Sequence, residues 1–502
     1  MIARLFGAAA LLVLAALSPG LVHAQVLATP SPGPTPTPIP VSSPGALPYP
    51  AYGTPMPGAA SVRAIPGVPS RVTLQQAIDI AVAKSPVLAE ARANYQLTQV
   101  QVQLARTALY PNIGATGTVT HSHSGHTNVT FSGNGTGGTV NGSGNGGNGG
   151  ALGGGNSTSY GINLQLQQLI YDGGRTRAQI EQATANEVAG AYTYQRELQT
   201  LAYNVAQAYY NALAAEASTQ LSAQVVQQNV VQENLVTAQL RAGTASRVDL
   251  ATAQLPTAQA RVSLVKAQGT ELSSLAAFAN SMGLDADADV APANDPADKQ
   301  TNTLVQVLTY DQALRRALAL RPDYFSQEYA VQAAQYNIRV QQLGYFPTLS
   351  GTASIGTNST SVAGTNFTTG NQLGLQVNIP IFNQGVTKAD IEQARVQLAL
   401  AQTTLLQTEQ SVQLNVRQAL AGLVSAQSAI YQAQVELSKA QEVLRATQAQ
   451  YRAGVTTLPL LLNAQVGLTQ AQTDYVSALY GLRQAEQTYL YSLGESDLHQ
   501  PA

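Results

Sequence analysis

The chain has 502 residues, enough for two or three ordinary domains, yet its apolar content lies in Ala, Val and Leu, with no Trp and seven Phe. Charged residues make up 10% and the net charge is -2, which gives no basic surface for nucleic-acid phosphates. The absence of Cys excludes thiol catalysis, disulfides and a Cys-anchored lipid, and leaves an oxidising compartment open.

Residues 1–24 read as a secretory signal. Arg4 supplies the positive end, Leu5 to Leu17 the apolar stretch, and Val22-His23-Ala24 a small-residue cleavage site. A retained membrane anchor is the alternative. No later stretch holds about 18 uncharged apolar residues in a row, so no transmembrane helix is predicted. Residues 25–71 form a Pro-rich leader, predicted extended and unpacked because proline fixes φ and has no backbone donor; it serves as a spacer or docks in a partner's groove.

The rest of the chain is duplicated. Thr73-Leu74-Gln75-Gln76-Ala77-Ile78, with Pro86 behind it, matches Thr309-Tyr310-Asp311-Gln312-Ala313-Leu314 with Pro322, 236 positions on. Leu109-Tyr110-Pro111 matches Tyr345-Phe346-Pro347 at the same offset. Tyr171 to Gly174 matches Phe382 to Gly385, and Arg241-Ala242-Gly243 matches Arg452-Ala453-Gly454, 211 positions on. The first copy therefore carries about 25 extra residues, in the Gly/Asn/Ser run around 133–155, as a loop tip tolerates.

Two repeats follow from this, 72–282 and 306–494, joined by a linker over 283–305 and ending in a tail over 495–502. Each begins with one helical segment, 73–109 and 309–344, that reaches a Pro. A β-hairpin follows, over 112–171 in the first repeat and 348–382 in the second. Leu373, Leu375, Val377, Ile379 and Ile381 alternate with Gly374, Gln376 and Asn378, and Ile162, Leu164 and Leu166 alternate with Asn163, Gln165 and Gln167. Period two places apolar side chains on one face of a strand and polar ones on the other.

Long helices over 175–240 and 386–452 come next, free of Pro; roughly 65 residues at 1.5 Å each span on the order of 100 Å. Gly243 and Gly454 turn the chain into returning helices over 247–282 and 458–492, whose Ala-rich seams suit coiled-coil packing. Pro256 is predicted to kink the first of them. The fold class is thus mainly α, with long antiparallel coiled-coil helices, plus a β portion of four strands. Four strands cannot seal an edge in lipid alone; three chains would supply twelve. Tyr110, Tyr171, Phe346 and Phe382 flank the strands and form a girdle at one membrane interface, or cap the helix–strand junctions.

These motifs, in order and twice over, resemble the TolC-like outer-membrane efflux family across residues 72–494: the helix entry that runs from Thr73-Leu74 to Ala77 and again from Thr309 to Ala313, the Pro before each hairpin, the long helix, and the tip turns at Leu240-Arg241-Ala242-Gly243 and Tyr451-Arg452-Ala453-Gly454. The resemblance implies a homotrimer. A twelve-stranded barrel would sit in the outer-membrane lipid, and a helical α-barrel tunnel would extend into the periplasm to meet an adaptor (membrane fusion) protein and an inner-membrane transporter. Arg241, Gly243, Arg452 and Gly454 are the implied adaptor-docking residues; a Gly ending a helix and an Arg in its last turn are also ordinary capping choices.

The implied constriction comprises Asp249, Tyr451, Leu460 and Asn463. The family's acidic positions after the second tip are uncharged here, at Leu460 and Asn463, and Thr456 stands where a basic partner is usual. Closure by apolar packing and amide hydrogen bonds is therefore expected in place of a carboxylate ring; Pro459 departs from the family pattern. His121, His123 and His126 allow a metal site at strand spacing, against an exposed polar loop. No phosphate loop, zinc motif or nucleophile elbow occurs, so neither an enzyme nor a cofactor is expected. The rival reading is a surface coiled-coil fibre or adhesin.

Overall fold

The computed structural model describes residues 69–123, 156–293, 305–359 and 368–495. The signal, nearly all of the leader, the Gly-rich insertion, His126 and the end of the tail lie outside these residues.

The chain folds in the order β1 (Arg71–Val72), α1 (Leu74–Lys84), α2 (Pro86–Thr107), β2 (Asn112–His123), β3 (Asn156–Tyr171), α3 (Arg175–Arg241) and α4 (Arg247–Ser281). The second half adds β4 (Ala291–Pro292), α5 (Tyr310–Leu320), α6 (Pro322–Gln342), β5 (Thr348–Ser359), β6 (Thr368–Asn378), α7 (Val386–Arg452) and α8 (Leu458–Leu493). Both long helices, α3 and α7, have 67 residues, about 100 Å at 1.5 Å per residue.

Where one helix is predicted at the head of each repeat, the structure has two. Pro86 and Pro322 open α2 and α6 as first-turn residues, while Ser85 and Arg321 before them are held extended, at ψ 123° and 118°. The pyrrolidine ring disfavours the helical region for the preceding residue, and this breaks the helix without ending the helical segment. The shared Thr-x-x-Gln-Ala start also has a physical basis. Gln76 Oε1 accepts from the Thr73 backbone N–H at 3.0 Å, Gln312 Oε1 does so from Thr309 at 3.2 Å, and Ala77 and Ala313 are fully buried one residue on.

The main core lies midway along the long helices. Ile78 of α1, Val205, Tyr209 and Leu213 of α3, Phe278 of α4, Leu423 of α7 and Leu482 and Tyr489 of α8 meet there with Ala313 and Ala317 of α5. Tyr209 Oη donates to the Ala293 carbonyl at 2.7 Å, and β1 pairs with β4 in parallel beside it, a short sheet the sequence did not predict. Beyond this core towards the strands, α3 packs against α2 and α6, and α6 against α7; towards the tips, α3 packs against α4 and α8, and α8 against α7. The helical layer therefore has α2 and α4 at one edge and α7 at the other.

β2, β3, β5 and β6 form an antiparallel sheet in that order, with a register shift between Leu169 and Tyr171. β6 ends at Asn378, so Ile379 and Ile381 lie past the strand; Pro380 between them has no N–H to continue a ladder. α4 runs unbroken through Pro256.

Candidate functional site

Directly paired residues of antiparallel strands share a face, and the register makes the sheet two-faced over its whole width. One face carries Val377, Leu375 and Leu373 of β6, Leu349, Ala353 and Ile355 of β5, Leu166, Leu164 and Ile162 of β3, and Ile113 and Ala115 of β2. The other carries Gln376 and Gln372, Ser350, Thr352 and Ser354, Gln167, Gln165 and Asn163, and Thr116. Nothing in the described chain covers the apolar face: Leu373 is 87% exposed and Leu375 75%. An apolar face of this extent needs an apolar medium. Among the described residues no helix is long and apolar enough to cross a membrane, whereas the four strands, of 12, 16, 12 and 11 residues, each reach the length a tilted membrane strand needs. β2 and β6 are open edges and run antiparallel to each other.

Tyr110, Tyr171, Phe346 and Phe382 all stand at one end of this sheet, where β2 and β5 begin and β3 and β6 finish, and all four are exposed. At the other end His121 hydrogen-bonds Thr158 Oγ1 through Nδ1 at 2.8 Å, and no cluster of metal-ligating side chains occurs among the described residues.

The helix tips close identically in the two repeats. The Gly243 N–H donates to the Leu240 carbonyl at 3.0 Å and Thr244 to Gln239 at 2.9 Å; Gly454 donates to Tyr451 at 3.0 Å and Val455 to Gln450 at 2.9 Å. Gly243 and Gly454 have φ of +76° and +73°, the left-handed conformation this cap requires. The glycines thus satisfy the last carbonyls, and Arg241 and Arg452 extend from the final turns into solvent.

Of the four residues assigned to a constriction, Tyr451 alone lies in a seam between the helix pairs. It packs on a small apolar cluster of Val236, Ala253, Leu458 and Leu462, and its Oη donates to Gln239 Oε1 at 3.4 Å. Leu460 and Asn463 point away from that cluster and are exposed, while Leu461 and Leu462 between them are buried. Asp249 has a local task. Its Oδ2 accepts from the Ser246 N–H at 2.8 Å and Oγ at 2.7 Å, and Ser246 Oγ accepts from the Asp249 N–H at 3.1 Å, a reciprocal cap on α4. Those bonds from Ser246 hold the Asp249 carboxyl below the usual carboxylate range.

Sequence reasoning passed over a charged knot where α8 ends. Arg321, 2% exposed, grips Asp323 through Nε at 3.0 Å and through a terminal nitrogen at 2.5 Å, and donates to the Ser492 carbonyl at 3.3 Å. The Arg196 guanidinium lies 3.9 Å from Asp323 and 3.9 Å over the Tyr491 ring. The signal was available: Pro322-Asp323 stands where the first repeat has Pro86-Val87, and Arg321 where it has Ser85.

The family model for outer membrane efflux proteins matches residues 77–284 and 313–495. The chain is 27% identical to the outer membrane efflux protein BepC of Brucella suis, over 65% of this chain and 72% of that one. It is 27% identical to the outer membrane protein TolC of Escherichia coli, over 65% and 67%. Among solved structures, the open state of the Neisseria gonorrhoeae MtrE outer membrane channel superposes with a TM-score of 0.67 over 87% of this chain and 94% of that one, at 22% identity, and so shares its fold. The family match takes in both repeats from their first buried alanines to the end of α8, and by it the chain belongs to the outer membrane efflux proteins, the TolC-like family its motifs resemble.

Proposed function

We propose that three copies of this chain form a passive exit duct in the outer membrane, its twelve-stranded barrel continuing into a tunnel of helices in the periplasm. The open, mutually antiparallel edges β2 and β6 carry this reading: β6 of one copy can pair with β2 of the next in the same antiparallel sense, without end, until the ring closes. Two copies would give eight strands, a bore that side chains fill; three give twelve and leave a lumen for the Gln, Asn and Thr face. The helical layer has edges to match. Val248, Leu255 and Val262 of α4 recur every seven residues and stay exposed, and Leu400 and Leu414 of α7, two heptads apart, are exposed as well; such positions pack against neighbouring helices.

The two repeats, 72–282 and 306–494, act as two quasi-equivalent wall segments. Arg241, Gly243, Arg452 and Gly454 present the periplasmic end to an adaptor protein, behind which an inner-membrane transporter supplies the energy. The closed end is held by apolar and amide contacts around Tyr451. Native mass and planar-bilayer recordings on the purified protein test this: a trimer with discrete conductance is expected. A monomer, or an assembly that never conducts, overturns it, the latter result favouring a surface fibre.

A further inference from the structure

The strands carry a second pattern, one that folding does not require. No Asp, Glu, Lys or Arg occurs from Thr107 to Tyr171 or from Val340 to Thr387, the two spans that hold β2, β3, β5 and β6, so the 25 basic and 27 acidic residues of the chain all lie elsewhere. On the apolar face this is expected, because hydrocarbon rejects charge. The polar face stands in water on the duct reading, where an ionised side chain would cost little, yet none of its described residues is titratable. We propose that the barrel is a bore without a charge filter, which admits anionic, cationic and neutral cargo alike and leaves any preference for charge to the helical part of the duct. The proposal rests on the duct reading, since a bore needs a closed barrel.

The polar wall is even as well as neutral. Thr116, Asn163, Gly356 and Gly370 form one row across β2, β3, β5 and β6, and the rows beside it repeat the mixture of amide, hydroxyl and glycine. Three cross-strand pairs on this face join a glycine to a polar side chain that lies over it. A Cβ on Gly161 would come within 2.9 Å of Thr118 Oγ1, one on Gly356 within 3.0 Å of Asn163 Oδ1, and one on Gly374 within 3.1 Å of Thr352 Oγ1. These side chains therefore lie along the wall and fill the room that glycine leaves, instead of standing out into the bore. A charge filter needs the opposite, a ring of ionised side chains that project into the lumen and focus the field there. Amides and hydroxyls carry no net charge, and each both donates and accepts hydrogen bonds.

The ends of the sheet add no ring either. His121 holds a register position on the apolar side, in line with Ile113 and Val119. At the aromatic end the first carboxylate is Asp172, and it is turned to α3: Oδ1 accepts from the Gly174 N–H at 2.9 Å, and Oδ2 accepts from the Thr176 N–H and Oγ1, both at 2.6 Å. The positive end of that helix offsets its charge. The matching residue 211 positions on is Asn383, which has no charge to offset.

The chain has no cysteine, so Gln372→Cys or Asn163→Cys gives each chain a single thiol on the polar wall, and Leu373→Cys gives one on the apolar wall. The full-length protein in lipid vesicles is treated at about pH 8.5, above the range in which histidine takes up charge, with a cationic and an anionic methanethiosulfonate of similar size. The ratio of the two rates, divided by the same ratio for a free thiol in the same buffer, reads the potential at the wall; the ionisation of the thiol itself cancels. A value of about 1 is expected for both polar-wall thiols, at about 20 mM salt and at about 500 mM alike. Ser354→Asp, which places a carboxylate beside Gln372, should raise the value for Gln372→Cys severalfold at low salt and lose the effect at high salt. A value that departs from 1 by about threefold or more without that substitution, and returns towards 1 as salt screens it, overturns the proposal. So does a value that Ser354→Asp leaves unmoved, because charge on this wall would then be no filter in any case. Leu373→Cys should stay unreactive in lipid. Polar-wall thiols that react with a skewed ratio while Leu373→Cys stays silent refute the neutral bore and keep the duct, whereas equal reaction on both faces removes the duct and the bore together.

Discussion

Gly494 ends α8 against Arg321, the residue before α6: a Cβ on Gly494 would lie 3.0 Å from both the Cα and the N of Arg321. Gly283 ends α4 in the same way on the first repeat, where a Cβ would come within 2.9 Å of the Ser85 Cα and 2.8 Å of the Lys84 carbonyl. At each junction a short helix from one end of the molecule meets a returning helix from the other, and two pieces make one wall element.

Gly283→Ala and Gly494→Ala should therefore each destabilise the protein by about 3 kcal/mol or more, combining the left-handed conformation at φ +73° and +80° with overlap onto backbone that cannot move away. Gly243→Ala serves as the comparison. It has φ +76° and nothing within 4 Å, and should cost only about 1 kcal/mol. Denaturant midpoints of the three variants in one detergent would check the ranking.

The repeat made most of this architecture legible, because an offset that holds at caps, prolines and tip glycines fixes where each element begins and turns. What escaped the sequence is what depends on distance across the chain. β1 pairs with β4 over 220 positions, at two residues each, too short for periodicity to register. The split at Ser85–Pro86 was within reach, since the rule for the residue before proline predicts it. For Asp249 a family role obscured a local one: Ser246 three residues earlier is the first half of a capping box, and that pattern is readable without any relative.

Asp323 is the sole carboxylate contacting both Arg196 and Arg321 among the described ion pairs. Burial opposes its charge, but the bond from Arg321 and the positive charges of Arg196 and Arg321 outweigh it and hold the carboxyl below its ordinary range. A depressed value contributes stability above the unfolded carboxylate's pKa, about 4, and that contribution is lost as the pH falls through the folded value. Asp323→Asn should cost about 2 kcal/mol near neutrality, less than for a fully buried pair because the carboxylate is partly solvated. It should also flatten the acid limb of the stability curve, measured by thermal melts from pH 3 to pH 7.

At the tips the same sign holds in a local form. Asp249 is kept ionised by the Ser246 backbone and hydroxyl donors, so the start of α4 should stay protected from hydrogen exchange above about pH 4 and fray below it. Asp249→Asn should remove this pH step while leaving α7 and α8 unchanged. A constriction that depended on the Asp249 charge would instead show the step in conductance, with no local change in exchange at Ser246 to Leu250.

Neighbouring residues of β6 separate the two faces most sharply. Leu375 pairs with Gly351 on the apolar face, and Gln376 pairs with Ser350 on the polar one. In a barrel, Leu375→Arg places a charge against hydrocarbon at a cost of about 2–4 kcal/mol near the midplane, and folding into lipid vesicles should fall accordingly. Gln376→Arg projects the same side chain into the lumen, where water solvates it; folding should be unaffected, and the current through the pore should shift towards anions. If the two variants destabilised the protein equally, the faces would not differ in solvent, and a sheet with water on both sides would have no reason to recruit strands from its neighbours.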